Sequence, residues 1–216
     1  MDLGSGAGFQ IEDKIYQSTS MSDIYPEFER QLPQSAKEEL LGQRGLVVWM
    51  YGLSGSGKST IANAAEQALH QQGRYVTMLD GDNLRSGLNA GLGFSDDDRN
   101  ENIRRAAELA KLLRHNGAIV LVSLITPQNK FRDQVREILG DEQFLEVYVK
   151  ASFEACQVRD VKGLYAKVNA GKVANFSGKS SQFEEPNRAD LVIETEAQEV
   201  GDSVKVLLDA VAPLIQ

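Results

Sequence analysis

The sequence predicts a three-layer α/β fold, a mostly parallel central sheet covered by helices on both faces. Three observations predict it. Short apolar runs alternate with longer amphipathic stretches from residue 46 to residue 212, as in sheets whose strands are buried on both faces and joined by helical crossovers. The first run, Leu46-Val47-Val48-Trp49-Met50-Tyr51, leads into Gly52-Leu53-Ser54-Gly55-Ser56-Gly57-Lys58-Ser59, which fills every required position of the phosphate-binding loop G-x-x-x-x-G-K-[ST]. The length, 216 residues, suits one such domain with a short appendage.

Residues 1–22 are rich in Gly, Ser, Asp and Gln without periodicity and are expected to be flexible. Gly4-Ser5-Gly6-Ala7-Gly8 imitates a nucleotide loop but has no strand before it and no helix after it, so it reads as linker. Residues 23–44 form an N-terminal arm that ends in a short helix over 34–42, and the domain proper spans 45–216. Strands are expected at 46–51, 75–79, 118–124, 143–149 and 190–194, all apolar runs of strand length. Helices are expected at 58–72, 95–116, 128–139, 152–158, 163–170 and 199–212. Ser95 is a natural N-cap for the second of these, followed by acids suited to a first turn. Ile103, Ala106, Ala110 and Leu113 give that helix its apolar stripe. The stretch 171–187 is rich in Lys, Ser, Gly and Asn, long, and poorly periodic. A loop of that length in a small domain is often a functional lid, which sets a mobile lid at about 163–187.

The net charge is −8 and the isoelectric point about 4.9, which argues against nonspecific binding to nucleic acid or to an anionic membrane. A single cysteine, Cys156, excludes an intrachain disulfide and a cysteine-based zinc site. The two histidines, His70 and His115, each fall near the end of an expected helix. No run reaches membrane-spanning length and no basic and apolar blocks open the chain, so a cytoplasmic location is expected. There the glycosylation pattern Asn175-Phe176-Ser177 has no meaning.

The loop carries its own chemistry. Its glycines let backbone N–H groups close around a phosphate chain, and the next helix aims its positive end at the same anion. Lys58 reaches the β- and γ-phosphates and the Ser59 hydroxyl can ligate Mg²⁺, so Gly52 to Thr60 is the segment that binds a nucleoside triphosphate. A GTPase is disfavoured. Asp160-Val161-Lys162-Gly163 matches D-x-x-G by letters but follows no strand, and Asn129-Lys130-Phe131-Arg132 fails N-K-x-D at its last position. The second strand instead runs into Asp80-Gly81-Asp82, read as a turn. Its two carboxylates at a strand end can hold Mg²⁺ and accept a proton from an attacking hydroxyl. Arg99 and Asn102 are spaced to share a helix face and one ligand, while Arg104 reads as solvated.

Leu79-Asp80-Gly81-Asp82-Asn83-Leu84-Arg85-Ser86-Gly87-Leu88-Asn89, then Leu92-Gly93-Phe94-Ser95 and Arg99-Asn100-Glu101-Asn102-Ile103-Arg104-Arg105, closely resemble the adenylylsulfate kinase family. So do Ser123-Leu124-Ile125-Thr126-Pro127, Arg159-Asp160-Val161-Lys162-Gly163-Leu164-Tyr165 and Asn175-Phe176-Ser177-Gly178, in the family's order from about 44 to 212. The resemblance implies a P-loop kinase fold and the transfer of the ATP γ-phosphate to the 3′-hydroxyl of adenosine 5′-phosphosulfate (APS), giving PAPS. It implies acceptor contacts at Asp82, Asn83, Arg85, Arg99, Asn102, Ile125, Thr126, Lys162 and Asn175, with Phe94 and Phe176 sandwiching the acceptor adenine and Arg159 covering the donor adenine. Catalytic roles fall to Lys58, Asp80, Asp82 and Thr126, and Mg²⁺ to Ser59 and Asp80. A homodimer is implied, with ATP sulfurylase as a candidate partner. The sequence departs from the family at Thr126, usually Ser, at Gln128, usually Tyr, and after Gly178, where Lys179-Ser180 replaces Ile-Asp. Two other readings stay open on the residues: a related kinase with another nucleotide-linked acceptor, and a silent nucleotide-binding subunit of a sulfate-activating complex.

Overall fold

The computed structural model describes residues 27, 30–160, 163, 165 and 183–216. The segment 1–22, much of the arm, the helix expected at 163–170 save Gly163 and Tyr165, and the site candidates Lys162, Asn175 and Phe176 lie outside the described residues. The chain divides into two units, Met1–Gln31 and Leu32–Gln216, and all elements below belong to the second.

Five parallel strands form one sheet: β1 (Leu46–Tyr51), β2 (Val76–Asp80), β3 (Ile119–Ser123), β4 (Phe144–Lys150) and β5 (Leu191–Glu194). Their order is β2-β3-β1-β4-β5, with every neighbouring pair parallel. The helices are α1 (Gln34–Leu41), α2 (Lys58–Gln71), α3 (Gly81–Ser86), α4 (Asp96–His115), α5 (Asn129–Leu139), α6 (Phe153–Arg159) and α7 (Val200–Val211). The expected strands and helices are present wherever residues are described, with ends shifted by a residue or two. His70 and His115 sit in the last turns of α2 and α4. Among the described residues no helix is long and apolar enough to cross a membrane.

β1 shows why its sequence is an unbroken apolar run. Val47, Trp49 and Tyr51 point into a core shared with α4 and α5, through Ile103, Ala106, Phe131 and Val135. Leu46, Val48 and Met50 point into a second core against α2 and α7, through Ile61, Leu69, Val204 and Leu207. All six are buried, and each such side chain contributes about 1.5–3 kcal/mol of transfer free energy. The small residues Ala106, Ala107 and Ala110 let α4 lie close to the sheet.

One element differs from expectation. Asp80-Gly81-Asp82 is not a free turn but the start of α3: Asp80 ends β2, and its carboxylate accepts the Asp82 N–H at 3.0 Å as the N-cap. An aspartate cap followed by another acid in the first turn satisfies orphan donors and the helix dipole together.

Candidate active site

The phosphate loop joins the C-terminal end of β1 to α2. Gly52 is required at its root: its φ is +151°, and a Cβ there would overlap the Val149 carbonyl of β4. Gly57, at φ +104°, turns the loop into the N-terminus of α2. Lys58 is buried, and its ammonium donates to the carbonyls of Gly52 at 3.0 Å and Leu53 at 2.7 Å. The Ser59 hydroxyl donates to Asp80 Oδ2 at 2.8 Å and lies 3.0 Å from the Ser123 hydroxyl. The other Asp80 oxygen holds the α3 N-terminus, so one carboxylate ties the phosphate loop to the start of the Asp82 helix.

Elements on the β4–β5 side brace the loop. Arg159, ending α6, donates to Thr195 Oγ1 at 3.0 Å, to the Thr195 carbonyl at 2.6 Å and to the Gly55 carbonyl at 3.4 Å. The Thr195 hydroxyl in turn donates to the Ser56 carbonyl at 2.9 Å. The Tyr165 hydroxyl donates to the Ser54 carbonyl at 2.7 Å.

Elements on the β2–β3 side build the opposite wall. Arg85 of α3 donates to the carbonyls of Leu92 and Gly93, at 3.1 and 2.8 Å, and its guanidinium lies 4.6 Å from the Phe94 ring centre. Arg99 donates to the Phe94 carbonyl at 3.1 Å with its guanidinium 5.9 Å from the same ring. Burial lowers the pKa of both arginines from the usual value, and for Arg99 the charge of Arg85 adds to the effect; a guanidinium stays cationic at any physiological pH regardless. Phe94 is 57% exposed, an aromatic face left open between two cations. Asn102 is buried beside Arg99 and accepts from the Asn89 amide at 3.0 Å. Thr126, beyond β3, is buried at φ +42°, an outlying conformation for a β-branched residue. The Trp49 indole N–H donates to its hydroxyl at 3.0 Å. Ile125 connects the walls, its carbonyl accepting the Gly52 N–H at 3.3 Å.

Both walls face one cavity of about 710 Å³, within the range of small-molecule sites. Ser54, Gly55, Gly57, Lys58, Ser59, Thr60 and Arg159 line its one side, and Asp80, Asp82, Arg85, Phe94, Arg99, Asn102, Ile125 and Thr126 the other. Gly52, Leu53 and Ser56 are buried in the loop and do not line it. Asn83 does not reach it either: it is exposed on α3, its carbonyl accepting from Ser86. Arg104 pairs with Glu101 at 2.8 Å on the half-exposed face of α4, as expected of a solvated residue. The sequence reading missed Ser123 and Thr195 as lining residues. Each ends or directly follows a strand, where open α/β sheets bind ligands, and that placement was the available signal.

The family model for adenylylsulphate kinase matches residues 44–194. The adenylyl-sulfate kinase of Phocaeicola vulgatus is 50% identical over 193 residues, covering 89% of this chain and 95% of that one. Its counterpart in Bacteroides thetaiotaomicron is 49% identical over 193 residues, covering 89% and 96%. Among solved structures, the Mycobacterium tuberculosis APS kinase in complex with AMPPNP and APS superposes with a TM-score of 0.76 at 42% identity, over 78% of this chain and 98% of that one. The P-loop kinase fold expected from the sequence is thus the fold of this chain. A family model whose match spans the loop, the acid pair and both cavity walls, with a relative 50% identical over 89% of the chain, has a single consequence: the chain belongs to the adenylylsulfate kinase family.

Proposed function

We propose that the chain transfers the ATP γ-phosphate to the 3′-hydroxyl of APS, giving PAPS and ADP. The observation that carries this reading is the composition of the cavity the two walls share: a phosphate loop with a buried lysine faces an exposed phenylalanine flanked by two arginines. A phosphosulfate is a dianion suited to guanidinium forks, and a purine needs a flat partner. Phe94 supplies the plane, and Arg85 and Arg99 the charge.

In the transfer, the 3′-oxygen forms a bond to the γ-phosphorus as the bond to the β–γ bridging oxygen breaks, and ADP leaves. Asp82, on the first turn of α3 at the cavity wall, orients the attacking hydroxyl and takes its proton. Lys58 leaves the Gly52 and Leu53 carbonyls for the transferring phosphoryl and stabilises its charge. The Thr126 hydroxyl is positioned by Trp49 on the acceptor side. Mg²⁺ fits the donor set, since Ser59 and Asp80 place two hard oxygens 2.8 Å apart. Among the described residues no cluster of three or more His, Cys, Asp or Glu competes for it. A metal that keeps several waters and takes phosphate oxygens needs no larger protein cage. When bound, it would neutralise charge on the β- and γ-phosphates.

Lys162, Asn175 and Phe176, a homodimer and ATP sulfurylase as a partner belong to the same proposal on the strength of the resemblance, and a lid over about 163–187 and a cytoplasmic location belong to it on the sequence pattern. The test is chromatographic separation of products from Mg-ATP with APS, beside a panel of other nucleotide acceptors. PAPS formation with little turnover of the panel is the expected result. ADP release with another acceptor and no PAPS would overturn it.

A further inference from the structure

Arg132, on the first turns of α5, lies outside every site residue named above and is almost fully buried, at 5% exposure. Its guanidinium lies against two rings, 4.6 Å from the centre of Tyr51 and 5.2 Å from that of Phe183. Its three nitrogens make four hydrogen bonds: Nε to the Thr126 carbonyl at 3.1 Å, Nη1 to Asn129 Oδ1 at 2.9 Å, and Nη2 to the carbonyls of Pro127 at 3.1 Å and Glu184 at 2.7 Å. These acceptors belong to two segments remote in sequence. One is the stretch after β3 that carries Thr126; the other is the irregular return, Phe183–Glu185, that leads toward β5. Further bonds close the same seam: the Glu184 N–H donates to the Pro127 carbonyl at 2.8 Å, and the Glu184 carboxylate accepts the Asn129 N–H at 2.7 Å.

A buried guanidinium bonded to neutral oxygens is an expensive way to fill a core, because desolvation disfavours the cation. Its geometry serves another purpose. Thr126 sits at φ +42°, a conformation that persists only where the surroundings hold it. Two groups do so: Trp49 on its hydroxyl and Arg132 on its carbonyl.

We propose that Arg132 is a positioning residue for the acceptor half of the site, fastening the Thr126–Pro127 segment to the Phe183–Glu184 return so that Thr126 is presented to the acceptor nucleotide. The inference rests on the reading of Thr126 as an acceptor-side residue. A lysine cannot replace Arg132, because it offers one point of donation where a planar fork meets four fixed acceptors and two rings.

The test is steady-state kinetics of Arg132→Lys and of Phe183→Leu, which removes one ring and leaves the hydrogen bonds. Arg132→Lys should raise KM for APS by about tenfold or more while KM for ATP stays within about twofold, and Phe183→Leu should move it the same way by less. A purely structural role would lower the active fraction, so kcat would fall with both KM values unchanged; that outcome, or a parallel rise in both KM values, overturns the proposal. If Arg132→Lys does not fold, Phe183→Leu decides on the same criterion. If the wild-type protein makes no PAPS, the functional reading fails separately. Positioning is then read from the emission of Trp49, the only tryptophan: a shift in both variants at unchanged ADP affinity supports it, and an unaltered spectrum overturns it.

Discussion

Trp49 and Thr126 are joined inside the core by a hydrogen bond of 3.0 Å, the indole N–H donating to the hydroxyl. Trp49 stands on the central strand and Thr126 at the cavity wall, so a side chain of the sheet interior sets the rotamer of a site residue. Trp49→Phe removes the donor and leaves a buried hydroxyl short of a partner, at a cost of about 1–3 kcal/mol from that bond alone. Urea unfolding followed by circular dichroism measures it, and Thr126→Ser should lose far less, since it keeps the acceptor. Equal stability of wild type and Trp49→Phe would mean that the bond does not hold in solution.

Lys58→Ala should lower kcat by about two to three orders of magnitude, the scale on which a charge aimed at a transition state acts. The fold should survive, because the ammonium's present partners are loop carbonyls near the cavity. Steady-state turnover beside a thermal melt separates the two effects. Wild-type turnover in this variant would remove the loop from the mechanism.

Gly52→Ala is expected to be worse for stability than any other single change in the loop. The added Cβ meets the Val149 carbonyl, which belongs to a buried strand and cannot retreat, at a φ of +151°. A loss of about 1–3 kcal/mol or more follows from strain and overlap together. Calorimetry should show the lower melting temperature, and ADP titration the lost affinity.

Asp80→Asn keeps an oxygen to cap α3 but loses the charge shared with Ser59. Activity should then require about tenfold more Mg²⁺, since a hard cation loses an anionic oxygen, while the melting temperature changes little. A Mg²⁺ titration of the rate, run beside nucleotide binding without metal, is the check. An unshifted Mg²⁺ requirement would assign Asp80 to structure alone.

Cys156 is fully buried behind the loop, and burial raises its thiol pKa above the ordinary value. The thiolate is the reactive form, so the folded chain at pH 8 should react slowly with a thiol reagent. In guanidinium one thiol per chain should react at once. Rapid labelling of the native protein would show that the loop opens more often than this packing allows.

β1, β3 and β4 were legible because each is an apolar run buried on both faces, and α2, α4, α5 and α7 because each carries an apolar stripe. At the sheet edges and only partly buried, β2 and β5 were legible from their apolar runs alone. The loop was legible because its glycines answer to backbone geometry that no other residue meets as well. α3 was not, since its six residues carry no periodicity and its existence depends on the Asp80 cap. Arg132 was not, because on a helix in isolation it is an ordinary charged position. Its burial comes from Tyr51 and Phe183, remote in the chain. Asn83 was carried over from a motif whose neighbours line the cavity while it faces outward.

The strand order β2-β3-β1-β4-β5 has a consequence for how such a protein changes over time. Among the described residues, the wall that carries Asp82, Arg85, Phe94, Arg99 and Thr126 grows from β2 and β3, and the braces Arg159 and Thr195 grow from β4 and β5, with the loop itself on the middle strand. Substitutions that reshape the Phe94 wall therefore fall on the opposite side of the central strand from the Arg159–Thr195 braces. A lineage can exchange what it phosphorylates while inheriting, unaltered, the means of phosphorylating it.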